Sequence, residues 1–169
     1  MLLRFIAYFI GPWILMISCL NMLSWREAFT YCAVGTLWMY LSWEDQKHLS
    51  VPSTLLYLIA AITALLGLGM ISPSFEQIEI AALLIIALVL LKFYEAIKRR
   101  QVLGSADVVA IATLAIHLTL NTIGIWLALA GLLGILSYLK NCKNKSCMIP
   151  FLPNLTASWL IVISGSNLL

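Results

Sequence analysis

Seven apolar runs, each approaching the length of a membrane-spanning helix, follow one another along the chain with short polar stretches between them. A helix that crosses a bilayer needs about 20 mainly apolar residues, and fewer where the bilayer thins locally. The sequence therefore predicts an all-α fold, a polytopic membrane bundle of about seven transmembrane helices. The predicted spans are residues 5–20, 28–43, 52–70, 78–94, 107–120, 123–139 and 149–165.

The composition indicates the same class of protein. Hydrophobic residues make up 63% of the chain and charged residues 10%, with a mean hydropathy of +1.02. A soluble domain is closer to half apolar and a quarter charged, and its core cannot absorb this excess. The length predicts one integral-membrane domain over residues 1–169, without a sizeable soluble domain. The net charge of +3 does not indicate a nucleic-acid partner, because membrane topology explains the basic residues.

The basic residues predict the orientation of the bundle. With seven spans and the N-terminus inside, Arg26 is the one basic residue on the outer side and nine fall on the cytoplasmic side. An excess of basic residues in short loops is typical of the cytoplasmic side of a membrane protein. The nine are Arg4, Lys47, Lys92, Lys98, Arg99, Arg100, Lys140, Lys143 and Lys145. The same topology places both aspartates of the chain, Asp45 and Asp107, on the cytoplasmic face.

Both aspartates lie at predicted membrane edges, where a carboxylate is costly and is a candidate for function. Asp45 follows the second run and Asp107 opens the fifth. Two carboxylates brought within hydrogen-bonding distance would share a proton, so one could activate water while the other polarises a carbonyl. Alternatively, each aspartate only caps a helix and interacts with the positive end of its dipole. The neighbouring Glu44 is expected to be a solvated residue.

The other candidate groups favour no competing chemistry. The four cysteines have no zinc-binding spacing and are interpreted as free thiols; they are Cys19, Cys32, Cys142 and Cys147. His117 lies ten residues beyond Asp107, about 15 Å along a helix, and is interpreted as a packed or hydrogen-bonded residue. No metal site and no organic cofactor are predicted.

Three local expectations concern helix ends. Ser50 is expected to cap the third helix. Glu95 is spaced to pair with Lys98 or Arg99, so the end of the fourth helix is expected to project into water. Residues 121–122 are expected to form a tight turn between the fifth and sixth helices.

Three separated motifs resemble those of the type IV prepilin peptidases, a family of intramembrane aspartic peptidases. Residues 45–52, Asp-Gln-Lys-His-Leu-Ser-Val-Pro, are similar to the family's first aspartate with a basic residue and an Ile/Leu-Pro after it. Residues 104–107, Gly-Ser-Ala-Asp, are similar to its Gly-x-Gly-Asp motif. Residues 149–153, Ile-Pro-Phe-Leu-Pro, resemble the Ile-Pro-Phe-Gly-Pro segment that opens its last span. The resemblance covers residues 28–169, a six-helix peptidase core after one N-terminal helix.

The chain departs from the family pattern at four positions. Ala106 replaces the second glycine, Val109 stands where lysine is common, Ser53 replaces an asparagine, and Leu152 replaces the glycine of the third motif. Paired Cys-x-x-Cys motifs of the long, methylating members are missing, so the resemblance is to the short form without an N-methyltransferase domain.

The resemblance implies an enzyme, an aspartic endopeptidase in the inner membrane of a bacterium. Its substrate would be a prepilin or pseudopilin, whose basic leader is cut off at the cytoplasmic face. Asp45 and Asp107 would be catalytic, with Gly104, Ala106, Lys47 and Pro150 supporting the site or the substrate. No metal or cofactor is implied, and the oligomeric state stays open.

Three alternatives remain open at this point. The first is a peptidase of the same class acting on a preflagellin-like protein. The second is a small transporter or channel whose aspartates bind protons or cations. The third is a non-catalytic assembly component, in which Ala106 disables the site.

Overall fold

The computed structural model describes residues 10–11, 13–14, 24–71, 75–99, 103–141 and 150–166. These residues are about 90% helical and contain no strand, so the all-α prediction is confirmed. Six helices have their bounds within the described ranges: α1 (Trp25–His48), α2 (Ser53–Leu66), α3 (Phe75–Lys98), α4 (Ser105–Leu114), α5 (Leu120–Asn141) and α6 (Leu152–Ser166). A π-helical turn, Gly67–Ile71, extends α2, and a 3₁₀ turn, Ala115–His117, extends α4. Most of the first predicted span, residues 5–20, lies outside the described residues.

The two ends of α1 are set by local hydrogen bonds. The Ser24 hydroxyl accepts from the Glu27 N–H at 3.3 Å, and the Glu27 carboxylate accepts from the Ser24 N–H at 3.0 Å. This reciprocal capping box starts the helix. At the other end Leu49 adopts a left-handed conformation with φ 52°, and its N–H donates to the Asp45 carbonyl. The helix therefore stops just after Asp45 and leaves that residue in its last turn.

Buried tryptophans connect the helices of the core. An indole N–H in an apolar interior needs an acceptor. Each of these tryptophans finds its acceptor on a neighbouring helix, so the hydrogen bond also fixes the spacing of the two helices. The donated bonds run from Trp38 to the Thr63 hydroxyl (2.8 Å), from Trp126 to the Leu155 carbonyl (2.9 Å) and from Trp159 to the Leu114 carbonyl (3.2 Å). They join α1 to α2, α5 to α6, and α4 to α6. Helix α6 thus lies at the centre, in contact with α1, α4 and α5.

The outward faces of the helices are largely apolar. Large exposed side chains follow α3, among them Leu83, Ile86, Val89, Leu90 and Phe93. Within the described ranges one helix, Leu120–Leu139, is long and apolar enough to cross a membrane by length and composition. Three apolar stretches are shorter: Ser53–Gly69, Ser105–His117 and Leu152–Gly165. The polytopic membrane arrangement therefore stays a prediction.

Two of the predictions about helix ends were wrong. Ser50 does not cap α2, which begins at Ser53 after Pro52 without a side-chain cap; the Ser50 hydroxyl instead donates to the His48 carbonyl. The expected turn at 121–122 lies inside α5. The chain turns three residues earlier, at residues 118–119, because the Thr122 hydroxyl accepts from the Thr119 N–H at 2.8 Å and caps the helix from within its first turn.

Candidate active site

A cavity of about 790 Å³ opens at one end of the bundle, and both aspartates line it. Asp45 comes from the last turn of α1 and Asp107 from the first turn of α4. The remaining lining residues are Leu49, Ser50, Val51, Ser53, Leu56, Tyr57, Leu103, Gly104, Ser105, Ala106, Pro150 and Phe151. The fold thus brings all three sequence motifs to one place, although 62 positions separate the two aspartates.

Asp45 is half-buried and faces the start of α6. Its carboxylate accepts a hydrogen bond from the backbone N–H of Leu152, the first residue of that helix. The N–H groups at a helix start have no partner within the helix, so a carboxylate there is favourable. Burial raises the pKa of Asp45 above its ordinary value, and the Leu152 N–H opposes that rise. The residue therefore joins α1 to α6 while keeping one side towards the cavity.

A pair of hydroxyls fixes these two helices one turn deeper in the bundle. The Ser42 hydroxyl lies 2.9 Å from the Thr156 hydroxyl, and both residues are fully buried. Ser42 precedes Asp45 by three residues and Thr156 follows Leu152 by four, so each lies on the same helix face as its neighbour at the cavity. The hydroxyl pair consequently holds Asp45 against the start of α6.

Asp107 bends back onto the residue that caps its own helix. Its Oδ2 lies against Gly104, 2.8 Å from the position of an added Cβ, and Gly104 has an extended conformation with ψ 150°. Burial and the charge of Asp45 raise the pKa of Asp107 to about 6, and the backbone of Gly104 and the positive charge of Lys92 oppose the rise. The negative charge of Asp45 therefore disfavours the ionised form of Asp107, as expected for two carboxylates that share a cavity.

Gly104 leaves room for the Asp107 carboxylate. A Cβ atom added to Gly104 would lie 2.8 Å from Oδ2 of Asp107, closer than real Cβ contacts come. The space that a side chain would fill is therefore occupied by the carboxylate itself. Ala106, the neighbouring small residue of the motif, also lines the cavity and packs partly against the core.

Pro150 and Lys47 differ in where the structure places them. Pro150 lines the cavity just before α6, beside Phe151. Lys47 is exposed and is not among the lining residues; its ammonium lies 5.1 Å from the centre of the Trp43 ring. Lys47 follows Asp45 by two residues, about 200° around the helix, and so projects from the opposite face. The structure does not bring this predicted supporting residue to the site.

The end of α3 also differs from the expectation. Glu95 does not project into water; it is 8% exposed and pairs with Lys92 at 2.7 Å. Its other oxygen accepts from the backbone N–H of Leu103 at 2.7 Å. Lys92 was not singled out by sequence reasoning, which had counted it only as a cytoplasmic positive charge. The available signal was a lysine inside an apolar run, between Leu91 and Phe93, because an intramembrane charge usually has a partner.

His117 lies away from the cavity, in the 3₁₀ turn after α4. Its buried ring packs edge-on against Tyr31 and Trp159, with ring centres 6.0 and 5.8 Å away. This environment agrees with the interpretation of a packed histidine. Among the described residues, no three histidine, cysteine, aspartate or glutamate side chains are grouped as a metal site.

The carboxylate pair can support acid–base chemistry on a substrate in the cavity. The pKa of each carboxyl group is raised, and the charge of Asp45 contributes to the rise at Asp107, so one member can donate a proton while the other accepts one. Comparison with known proteins found no match among family models, curated proteins or solved structures.

Proposed function

We propose that the chain is an intramembrane aspartic endopeptidase that removes the short basic leader of type IV prepilins or pseudopilins. The observation that carries the proposal is that Asp45 and Asp107, from two helices distant in sequence, line one open cavity with Pro150 of the third motif. The resemblance of these motifs to the prepilin peptidases supplies the substrate class. Neither observation depends on the other.

In the proposed reaction the ionised carboxylate takes a proton from water as the water oxygen attacks the scissile carbonyl carbon. The protonated carboxylic acid gives its proton to the carbonyl oxygen. When the carbon–nitrogen bond breaks, the leaving amine takes the proton held by the first carboxyl group, and one hydroxyl of the intermediate returns a proton to the second. The pair ends with one proton, as it began.

The surface of the bundle supports a membrane location. Large apolar side chains on the outward faces of α3 and α5 form a surface that water would not favour, and a bilayer would cover it. We therefore propose a polytopic protein, with the described helices crossing the membrane after an N-terminal span.

The distribution of basic residues supports a cavity that faces the cytoplasm. Lys47, Lys98 and Arg99 lie at the helix ends on the side of the cavity. Arg26 lies at the far end of α1, about 28 Å from Asp45 along the helix. Positive residues favour the cytoplasmic side, so the aspartates would meet a leader that is still inside the cell.

Cleavage by the purified protein tests the proposal. The protein in detergent or nanodiscs would be incubated with a prepilin that carries a basic leader and its hydrophobic helix. Mass spectrometry is expected to show the leader released at the start of that helix. Glu44→Gln is the matched control, because Glu44 neighbours Asp45 but does not line the cavity, and it should cleave normally. An intact substrate with active-site residues in place would count against the prepilin peptidase.

A further inference from the structure

Lys92 makes two short contacts next to the aspartate of α4. Its ammonium donates to the Glu95 carboxylate and to the backbone carbonyl of Leu103, each at 2.7 Å. The other oxygen of Glu95 accepts from the Leu103 N–H, also at 2.7 Å. Leu103 is therefore held at both of its backbone polar groups by one ion pair on α3.

The held carbonyl belongs to the peptide group that Asp107 also uses. The carbonyl of Leu103 and the N–H of Gly104 are the two ends of a single planar amide. Lys92 bonds its oxygen, and its N–H favours the ionised form of the Asp107 carboxylate, whose Oδ2 lies against Gly104, 2.8 Å from the position of an added Cβ. A continuous path thus runs from Glu95 through Lys92 and one peptide group to the carboxylate of Asp107.

Such a path affects both geometry and charge. Because the amide is planar, fixing its oxygen also fixes the direction of its N–H. An ammonium on the oxygen polarises the amide, which strengthens the bond that its N–H donates. The direct positive charge of Lys92 acts in the same sense, since it favours the ionised carboxylate.

We infer that Lys92, anchored by Glu95, is a positioning residue for Asp107, and that it acts through the Leu103–Gly104 peptide group. As a role in catalysis this rests on the proposed peptidase function; as a structural coupling it does not. Lys92 does not line the cavity, so it is not assigned contact with the substrate.

Among the titratable side chains near Asp107, the charge of Asp45 raises its pKa and the charge of Lys92 lowers it. Asp45 on α1 and Tyr57 on α2 line the same cavity. Lys92 and Glu95 on α3 form the ion pair. Replacing Lys92 by methionine removes the one cation in this set and keeps an apolar stem. Asp107 should then hold its proton to higher pH, because the ionised form loses its favourable neighbour.

The test uses the fact that the chain contains two aspartates. Protein labelled with ¹³C at the aspartate side-chain carboxyl gives two such NMR signals in nanodiscs, and the one lost in Asp45→Asn belongs to Asp45. In Lys92→Met the Asp107 titration should move up by about one pH unit. Lys92→Arg, which keeps the charge and the donor groups, should restore the wild-type midpoint.

Lys98→Met is the matched control, because Lys98 lies on the same helix with the same charge but is exposed, and it is Lys92 that bonds the Leu103 carbonyl. It should leave the Asp107 midpoint unchanged. Where Lys92→Met does not give folded protein, Lys92→Gln removes the charge and keeps a donor for the Leu103 carbonyl. An unchanged midpoint in a folded Lys92 variant, or an equal shift in Lys98→Met, would overturn the inference.

Cleavage kinetics separate this inference from the proposed function. In Lys92→Met the alkaline limb of the pH–rate profile should move up with the Asp107 midpoint, and kcat should fall with little change in KM. A shifted midpoint in a protein that cleaves no prepilin would support the coupling and reject the peptidase. A wild type that cleaves prepilin, with no shift of midpoint or limb in the variant, would reject the coupling alone.

Discussion

At the scale of single residues, the site depends on how closely Asp107 approaches Gly104. The Gly-x-x-Asp spacing places an acid three residues after the helix cap, where its carboxylate can return to the N–H of the capping residue. The resemblance implied only that Gly104 and Ala106 support the site or the substrate. The structure shows that the space at Gly104 belongs to the carboxylate.

Gly104→Ala should therefore disturb the acid directly. The new Cβ would lie 2.8 Å from Oδ2 of Asp107, so the carboxylate must move. A displacement of about 1 Å can cost about 10²-fold in rate, and we expect a loss of that order in kcat/KM for leader cleavage. Ala106→Gly, which removes a methyl group two residues later, should retain activity. Equal rates for Gly104→Ala and wild type would show that the contact with the carboxylate is unimportant.

At the scale of helices, the apolar runs predicted where most helices lie but not how they begin and end. The capping box at Ser24 and the cap from Thr122 depend on local hydrogen bonds, which hydropathy does not report. The buried pair of Lys92 and Glu95 was missed because helical spacing also favoured pairing of Glu95 with the basic residues after it. Glu95 pairs with Lys92 because of tertiary contacts, since each of these two side chains also forms a hydrogen bond with the backbone of Leu103.

The contact between α5 and the segment before α6 gives a test at this scale. A Cβ atom on Gly134 would lie 2.9 Å from the Phe151 ring, which lines the cavity beside Pro150. Gly134→Ala should shift Phe151 and the following Leu152 N–H, and reduce the cleavage rate by about tenfold or more. Gly131→Ala on the same helix has open space around it and should keep its activity. Similar rates for both variants would contradict this role of Gly134.

At the scale of the whole molecule, the sequence predicted two aspartates on one membrane face that folding brings together as a pair, but not the packing that places them in one cavity. Topology alone does not specify which helix ends are neighbours. Their proximity depends on α6, which contacts both α1 and α4 and receives Asp45 at its first residue. The contacts of α6 with α1 and α4 depend on hydrogen bonds of indole and hydroxyl groups in the core, and these form only when the helices pack together.

The orientation can be tested by labelling single cysteines in a background without the four native ones. Arg99→Cys lies at the cavity end and Arg26→Cys at the opposite end of α1, and both parent side chains are exposed. In intact cells a membrane-impermeant maleimide should label position 26 and spare position 99, because basic loops favour the cytoplasm. In inverted vesicles the pattern should reverse. Labelling of position 99 from outside would place the cavity on the wrong face for an uncut leader.

The central claim is that Asp45 and Asp107 act as one catalytic pair. The most direct measurement is the rate of leader cleavage by Asp45→Asn, Asp107→Asn and the double variant, in protein that remains folded in the membrane. Each single variant should lose about 10³-fold or more, because one carboxylate cannot both accept and donate the required protons. The double variant should be little slower than either single one, as is found for residues that act as a unit. Full cleavage by either single variant would contradict the account.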